Sequence, residues 1–273
     1  MQPPVVFDTK ALALKRRRAL GRDPAAFFLH QRAADQISER LTEVNKTFTK
    51  VGVISGFPAL WQRYVPDSTA VEDSDTLAFG GQKFDLIIDA LTLHVTNDPV
   101  GRLVQCRRAL RPDGLLLAVS FAGQTLHELR AALAQAESEL LGGLSPRVSP
   151  MAELRDLGDL LLRAGFALPV ADSDTVVVTY PNPLALMEEL RAMGETNVMV
   201  ARAKSFTRRS LIMKAADIYI RHHAAGPDRI NATFEMATLT GWAPSDDQPK
   251  PLRPGSATAR LADALGTKEQ NTF

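Results

Sequence analysis

A single cysteine, an almost vanishing net charge and the lack of any long apolar run remove several classes of protein before a motif is sought. Cys106 stands alone, so an internal disulfide framework and any cysteine-rich zinc or iron–sulfur site are excluded, in keeping with a reducing compartment. The 32 basic and 31 acidic residues nearly cancel, which leaves no overall field to gather nucleic acid or an anionic membrane; a charged partner must be met locally. No apolar stretch approaches the roughly 20 residues needed to span a bilayer. Met1-Gln2-Pro3-Pro4 lacks the basic-then-apolar order of a secretory signal. The run Lys15-Arg16-Arg17-Arg18 follows Asp8 and is clustered, unlike the spread arginines of a mitochondrial presequence. The expected location is cytoplasmic.

What is present is a chain of 273 residues with 45% hydrophobic content, enough for one large α/β domain with an appendage. Asp23-Pro24 reads as an N-cap with proline at the first helical position, and Ala34, Ile37, Leu41 and Val44 recur at helical spacing. Val51-Gly52-Val53-Ile54 reads as a buried strand that enters a turn at Ser55-Gly56. Phe84 to Leu91 is a second strand, Asn97-Asp98-Pro99 opens a helix through about Leu110, and Arg111-Pro112-Asp113-Gly114 is a turn before a strand over Leu115–Phe121. That strand is too apolar to have a wet face. Thr125-Leu126-His127-Glu128 has capping-box spacing for a helix ended by Gly142-Gly143. Ser149-Pro150 is expected to open a helix with Leu154, Leu157, Leu161 and Leu162 as its apolar stripe and Gly165 as its C-cap. A strand follows from Asp174 to Tyr180, then helices over Pro183–Met193 and Thr207–Ala225, and a last strand over Ala232–Trp242. The expected organisation is an N-terminal helical segment (1–48), an α/β domain (49–243) with a helical insertion at 181–228, and an extended tail (244–273).

Strands alternating with helices call for a mostly parallel sheet covered on both faces, with ligands bound beyond the carboxyl ends of the strands at a switch in strand order. In nucleotide-binding sheets the turn after the first strand is glycine-rich, because the ligand passes where a Cβ would collide. Here that turn is Ser55-Gly56-Phe57-Pro58-Ala59-Leu60-Trp61, with one glycine and three bulky residues. Only 17 positions separate Ile54 from Val71, too few for two crossovers at about 10–12 residues each plus a strand. One strand–helix unit is expected to be missing, together with the acidic residue that would hold ribose hydroxyls.

Phe84-Asp85-Leu86-Ile87, Leu93-His94, Asn97-Asp98 and Leu110-Arg111-Pro112-Asp113-Gly114 resemble the fourth strand, its loop and the turn before the fifth strand of class I S-adenosylmethionine-dependent methyltransferases. More specific segments are Gly123–Arg130, Gly142–Pro150, Leu160–Phe166, Leu186–Asn197, Ala232–Glu235 and Lys250–Ser256. Together they resemble the methyltransferase-like assembly factor five of respiratory complex I and its alphaproteobacterial relatives, which are also similar to the malonyl-carrier-protein methyltransferase of biotin synthesis. The resemblance implies a Rossmann-like sheet with helices on both faces, lacking one N-terminal strand–helix unit and carrying a helical insertion before the last strand. It implies S-adenosylmethionine as cofactor, with Ser55, Gly56, Asp73, Ser74 and Ala90 around it. His94, Arg147 and Arg253 are implied on the substrate or partner side. The implied partner is a protein, a hydrophilic subunit of complex I modified on an arginine, met in a bacterial cytoplasm or at the inner membrane through that partner.

The chain departs from the family where the cofactor should bind. Val53-Ile54-Ser55-Gly56-Phe57-Pro58 stands in place of an Asp-x-Gly-Cys/His-x-Gly loop, and Val95-Thr96 follow His94 where the family has an aromatic residue. Each candidate therefore has two readings. Asp73 contacts the adenine amine or is a solvated loop residue; His94 orients a substrate or acts as acid or base, or is structural. Arg16, Arg17 and Arg18 dock an acidic surface or form a solvated helix face, and Cys106 is a small buried apolar residue. Three functions follow: a protein-modifying S-adenosylmethionine-dependent enzyme, a pseudoenzyme scaffold that keeps the partner-binding half, and an acyl-carrier-protein O-methyltransferase.

Overall fold

The computed structural model describes residues 4–249. Its frame is one six-stranded sheet formed by β1 (Val51–Ser55), β2 (Thr69–Glu72), β3 (Phe84–Ala90), β4 (Leu110–Ala122), β5 (Ala167–Tyr180) and β6 (Ile230–Trp242), in the spatial order β2-β1-β3-β4-β6-β5. The first four pair in parallel, and β6 runs antiparallel between β4 and β5. Strand order reverses between β1 and β3, which is where such sheets open a cleft. Between β1 and β3 lie a single helix, α3 (Pro58–Tyr64), and the single strand β2, as the short Ile54–Val71 interval requires.

The central strands alternate their apolar side chains between two cores. Val53, Leu86, Ile88, Leu115 and Leu117 face one side, where α2 (Phe28–Glu43), α5 (His127–Leu141), α7 (Pro183–Ala192) and α8 (Arg209–His223) pack. Ile54, Ile87, Leu116 and Ala118 face the other, covered by α4 (Pro99–Ala109) and α6 (Leu154–Arg163). A further helix, α1 (Thr9–Ala19), lies at the carboxyl edge of the sheet; a Cβ added to Gly194, at φ 83°, would lie 3.5 Å from Arg16 Cα. Cys106 is fully buried in the second core, and burial pushes its thiol pKa up.

Several local expectations are corrected. The Thr125–Glu128 capping box does not form: α5 starts at His127 behind Leu126, which is left-handed at φ 54°. Thr125 Oγ1 instead donates to the Glu235 carbonyl (3.0 Å), and Glu128 accepts the Thr233 hydroxyl, so both tie α5 to β6. Ser149-Pro150 opens no helix; α6 begins at Leu154, and Leu162 points to solvent while Leu157 and Leu161 are buried. Strand β4 starts at Leu110, through the Arg111–Gly114 irregularity, because Leu110 already pairs with Phe84 and Asp113 takes φ 59°. Strand β5 starts at Ala167, seven residues before Asp174, paired with β6 apart from an irregularity between Ala167 and Val170. Among the described residues no helix is long and apolar enough to cross a membrane.

Candidate functional site

The carboxyl ends of β1, β2 and β3 converge on a buried ion chain. Asp73, just past β2, accepts from Arg16 of α1 and from Arg102 of α4, the latter at 2.5 Å. Arg102 Nη1 donates to Thr92 Oγ1 (2.9 Å), Thr92 Oγ1 donates to Asp89 Oδ1 (2.6 Å), and Arg102 lies 3.6 Å from Asp89 Oδ2. Two carboxylates thus face two guanidinium groups, all four buried. Burial alone would raise the Asp73 pKa, but Arg102 and Arg16 outweigh it and hold the carboxyl below its usual range. Burial wins at Asp89, whose pKa is raised.

Arg16 occupies the space beside the first turn. A Cβ added to Gly56 would lie 2.5 Å from Arg16 Cζ and 2.6 Å from its Cδ. The glycine therefore clears room for a side chain of the same chain. Ser55 is buried, and its Oγ accepts the Phe57 N–H at 2.9 Å. Beyond it Phe57 stacks edge-on with Phe27 (4.8 Å) and His30 (5.2 Å), and Trp61 packs against His30. The bulky residues after Gly56 fill the first turn with aromatic core. Ser74 is exposed, with its carbonyl accepting from Arg102, and Ala90 is buried in the main core. Of the five residues expected around a cofactor, then, Ser55, Gly56 and Asp73 are engaged by the chain itself. Arg16 takes both the space beside Gly56 and the Asp73 carboxylate, the two places where the resemblance sets the cofactor.

A cavity of about 400 Å³ opens beyond β3, β4 and β6. His94 sits in its wall on a 3-10 turn (Leu93–Val95), against the Phe121 ring at 4.8 Å, with Nε2 at 3.1 Å from Glu195 Oε2. Burial works against the charge of Glu195, but His94 and Arg16 overcome it and lower the Glu195 pKa. Arg147 lies across the cavity, donating to Glu137 (2.7 Å) and to Thr207 (3.1 Å). Asn97 fastens the N-terminal segment over one side by accepting the Val6 and Phe7 N–H groups at 2.8 Å each. His94 and Arg147 are thus brought to one cavity, distinct from the Asp73 cluster; Arg253 lies outside the described residues.

Sequence reasoning missed three residues of this region. Arg16 was placed in a charge run, yet it shares the buried face of α1 with Leu12 and Ala19 at four- and three-residue spacing, a stripe visible in the sequence. Arg102 carries the same signal, sharing the buried face of α4 with Cys106 and Ala109 at four- and three-residue spacing. Glu195 lies in a segment that the family resemblance covers, without a spacing that marks its histidine partner.

The parallel strands, the antiparallel β6 and the switch point between β1 and β3 define a Rossmann-like α/β domain of the class I methyltransferase type. Residues 33–118 match the family described as "Methyltransferase domain". Over a longer stretch the chain is similar to proteins named arginine-hydroxylase NDUFAF5. It is 38% identical over 199 residues to mitochondrial arginine-hydroxylase NDUFAF5 of Danio rerio, covering 73% of this chain and 62% of that protein. It is 37% identical to the Homo sapiens protein, over 73% of this chain and 57% of the relative. Similarity to the malonyl-[acyl-carrier protein] O-methyltransferase of Laribacter hongkongensis is lower, at 32% over 63% of this chain and 56% of the relative. The chain spans about three fifths of the length of the curated relatives it matches. Among solved structures, the YcgJ protein of Bacillus subtilis superposes with a TM-score of 0.48 at 12% identity, over 79% of this chain and 99% of that one.

Proposed function

We propose that this chain is an assembly factor of the NDUFAF5 type that works by binding a protein partner, a hydrophilic subunit of respiratory complex I, and that its S-adenosylmethionine cleft is closed by its own first helix. The observation that carries this reading is the Arg16 side chain, packed against Gly56 and ion-paired to Asp73. A ligand entering the cleft would have to expel a buried guanidinium and leave Asp73 with Arg102 alone, a loss on the order of several kcal/mol. Calorimetric titration with S-adenosylhomocysteine tests it. The full chain should give no saturable heat up to about 1 mM, that is, a binding free energy weaker than about −4 kcal/mol; micromolar affinity would overturn the reading. Co-purification of a complex I subunit with the tagged chain tests the partner separately.

A second reading is favoured by the buried His94–Glu195 pair at the mouth of the sheet. In it the chain modifies an arginine of its partner, as the name of the relatives states for them, and His94 oriented by Glu195 moves a proton. Mass spectrometry of the co-purified partner separates the two: a modified arginine supports the second reading, and its absence supports the first. The acyl-carrier-protein reading has the weaker similarity behind it.

A further inference from the structure

The cavity beyond β3, β4 and β6 has features the assembly-factor reading does not use. Part of its lining is apolar, with Phe121, Leu126, Leu129, Met187, Ile212 and Phe234 among the residues. Four buried polar atoms on residues that line it have no hydrogen-bond partner: His94 Nδ1, Arg147 Nε, Ser149 Oγ and Thr196 Oγ1. Buried polar atoms are almost always paired, and each orphan costs about 1–3 kcal/mol. The four sit on residues of one cavity and make its wall polar as well as apolar. Leu126 adds a second sign. It lines the cavity in the left-handed region at φ 54°, held there by its N–H donating to the Thr233 carbonyl at 2.8 Å. Such strain in a non-glycine residue gathers at ligand sites.

Charge says which polar group. Lys15, Arg147, Arg191 and Arg202 line the cavity, and the only carboxylate among the lining residues is Glu195. Arg147 is paired with Glu137 and Arg202 with Asp8. Four cations therefore meet three carboxylates, one positive charge in excess. Lys15 feels it: burial, then Arg18, Arg202 and Arg191, hold its ammonium pKa below the usual value. Arg147 Nε can only donate, and the Ser149 and Thr196 hydroxyls can do so. A guanidinium or ammonium would meet this cluster unfavourably, whereas a single negative charge balances it. At about 30 Å³ per non-hydrogen atom, 400 Å³ holds on the order of 13 such atoms.

We infer that this cavity binds a medium-chain aliphatic carboxylate, its chain against Phe121, Leu129 and Phe234 and its carboxylate toward Lys15 and Arg191. The inference does not rest on the fate of the cofactor cleft, and its titration is independent of the one with S-adenosylhomocysteine.

Decanoate, with twelve non-hydrogen atoms, is the probe, titrated calorimetrically into the full chain. Saturable one-to-one binding with a dissociation constant of about 10–100 µM is expected, the range for a small ligand of this size. Decanol should bind at least about ten times more weakly, and decylammonium should not saturate the site. The Lys15→Gln/Arg191→Gln double variant changes residues at the rim, which leaves the core packing intact; it should lose about tenfold for decanoate and little for decanol. Arg155→Gln, an exposed change elsewhere on the surface, should bind as the parent does and so controls for overall charge. Failure of the folded parent to saturate by about 1 mM decanoate overturns the proposal. So does equal binding of decanoate and decanol, decylammonium binding as well as decanoate, or a double variant indistinguishable from Arg155→Gln.

Discussion

His30 gives the sharpest quantitative test of the packing around the turn after β1. It is 3% exposed on α2, between Phe57 and Trp61, and its Nδ1 accepts the indole N–H of Trp61 at 3.0 Å. Burial, with a smaller contribution from the charge of Arg16 and against the opposing pull of Glu195, lowers its pKa from 6.5 to about 4. The folded-state pKa is depressed, so the stabilisation is complete above pH 6.5. Below that the unfolded chain takes up a proton that the native ring refuses, and stability is lost until the native ring also titrates near pH 4. The full span corresponds to about 3 kcal/mol, and about 2 kcal/mol is gone by pH 5. For a domain of this size that is a fall of roughly 4–8 °C in Tm. Because His223 is also shifted downward by burial, the comparison must be with His30→Gln, which keeps an acceptor for Trp61 and does not titrate. Urea melts of both proteins at pH 7.5 and pH 5 should show the parent losing about 2 kcal/mol more than the variant. Equal losses, or a His30 ring that titrates near pH 6.5 by NMR, would refute the buried neutral pair.

Arg102→Ala leaves Asp73 and Asp89 with Arg16 as the remaining guanidinium and should destabilise the fold by about 3–5 kcal/mol in urea melts; a loss under about 1 kcal/mol would show that the ion chain is not formed. Glu128→Ala strips the Thr233 hydroxyl of its acceptor inside the protein and should cost about 1–3 kcal/mol, whereas the same change at the exposed Glu39 should stay within about 0.5 kcal/mol. Gly241→Ala puts a Cβ 3.0 Å from three atoms of Phe166 in the β6–β5 region, so a loss of about 1–3 kcal/mol is expected, read as a lower Tm with no change in sheet content by circular dichroism.

The fold was legible where burial on both faces writes an unbroken apolar run. Strands β1, β3, β4 and β6 and the helices opened by Asp-Pro or Asn-Pro were read close to where they lie. It was illegible where tertiary pairing overrode local signals. Strand β5 begins with Ala167-Leu168-Pro169-Val170-Ala171-Asp172-Ser173, which reads as loop. As an edge strand it needs partners on one side alone, so it tolerates proline and carboxylates; Asp172 and Asp174 even pair outward with Arg40 and Arg32 of α2. The Thr125 and Glu128 side chains have the right spacing for a cap, but β6 offers buried donors and acceptors that the helix end cannot match. The candidate site was half legible in the same sense. Family segments pointed to Asp73, His94 and Arg147, while the groups that hold Asp73 and His94, namely Arg16, Arg102 and Glu195, come from distant parts of the chain.

The Asp73 cluster explains why a thinned turn and a missing strand–helix unit can coexist with a well-packed edge. Asp73 and Asp89 are buried carboxylates, and Arg102 alone could neutralise one of them. A second positive charge beside Asp73 offsets the cost of burying that carboxylate, while burial raises the pKa of Asp89. In this chain it comes from Arg16, whose helix reaches the turn because Gly56 has no side chain and Gly194 takes a backbone conformation that brings the neighbouring loop close. The two glycines, the arginine and the carboxylate therefore pack as one unit at this edge. What remains open is the cavity behind His94, with four unpaired polar atoms and one excess positive charge.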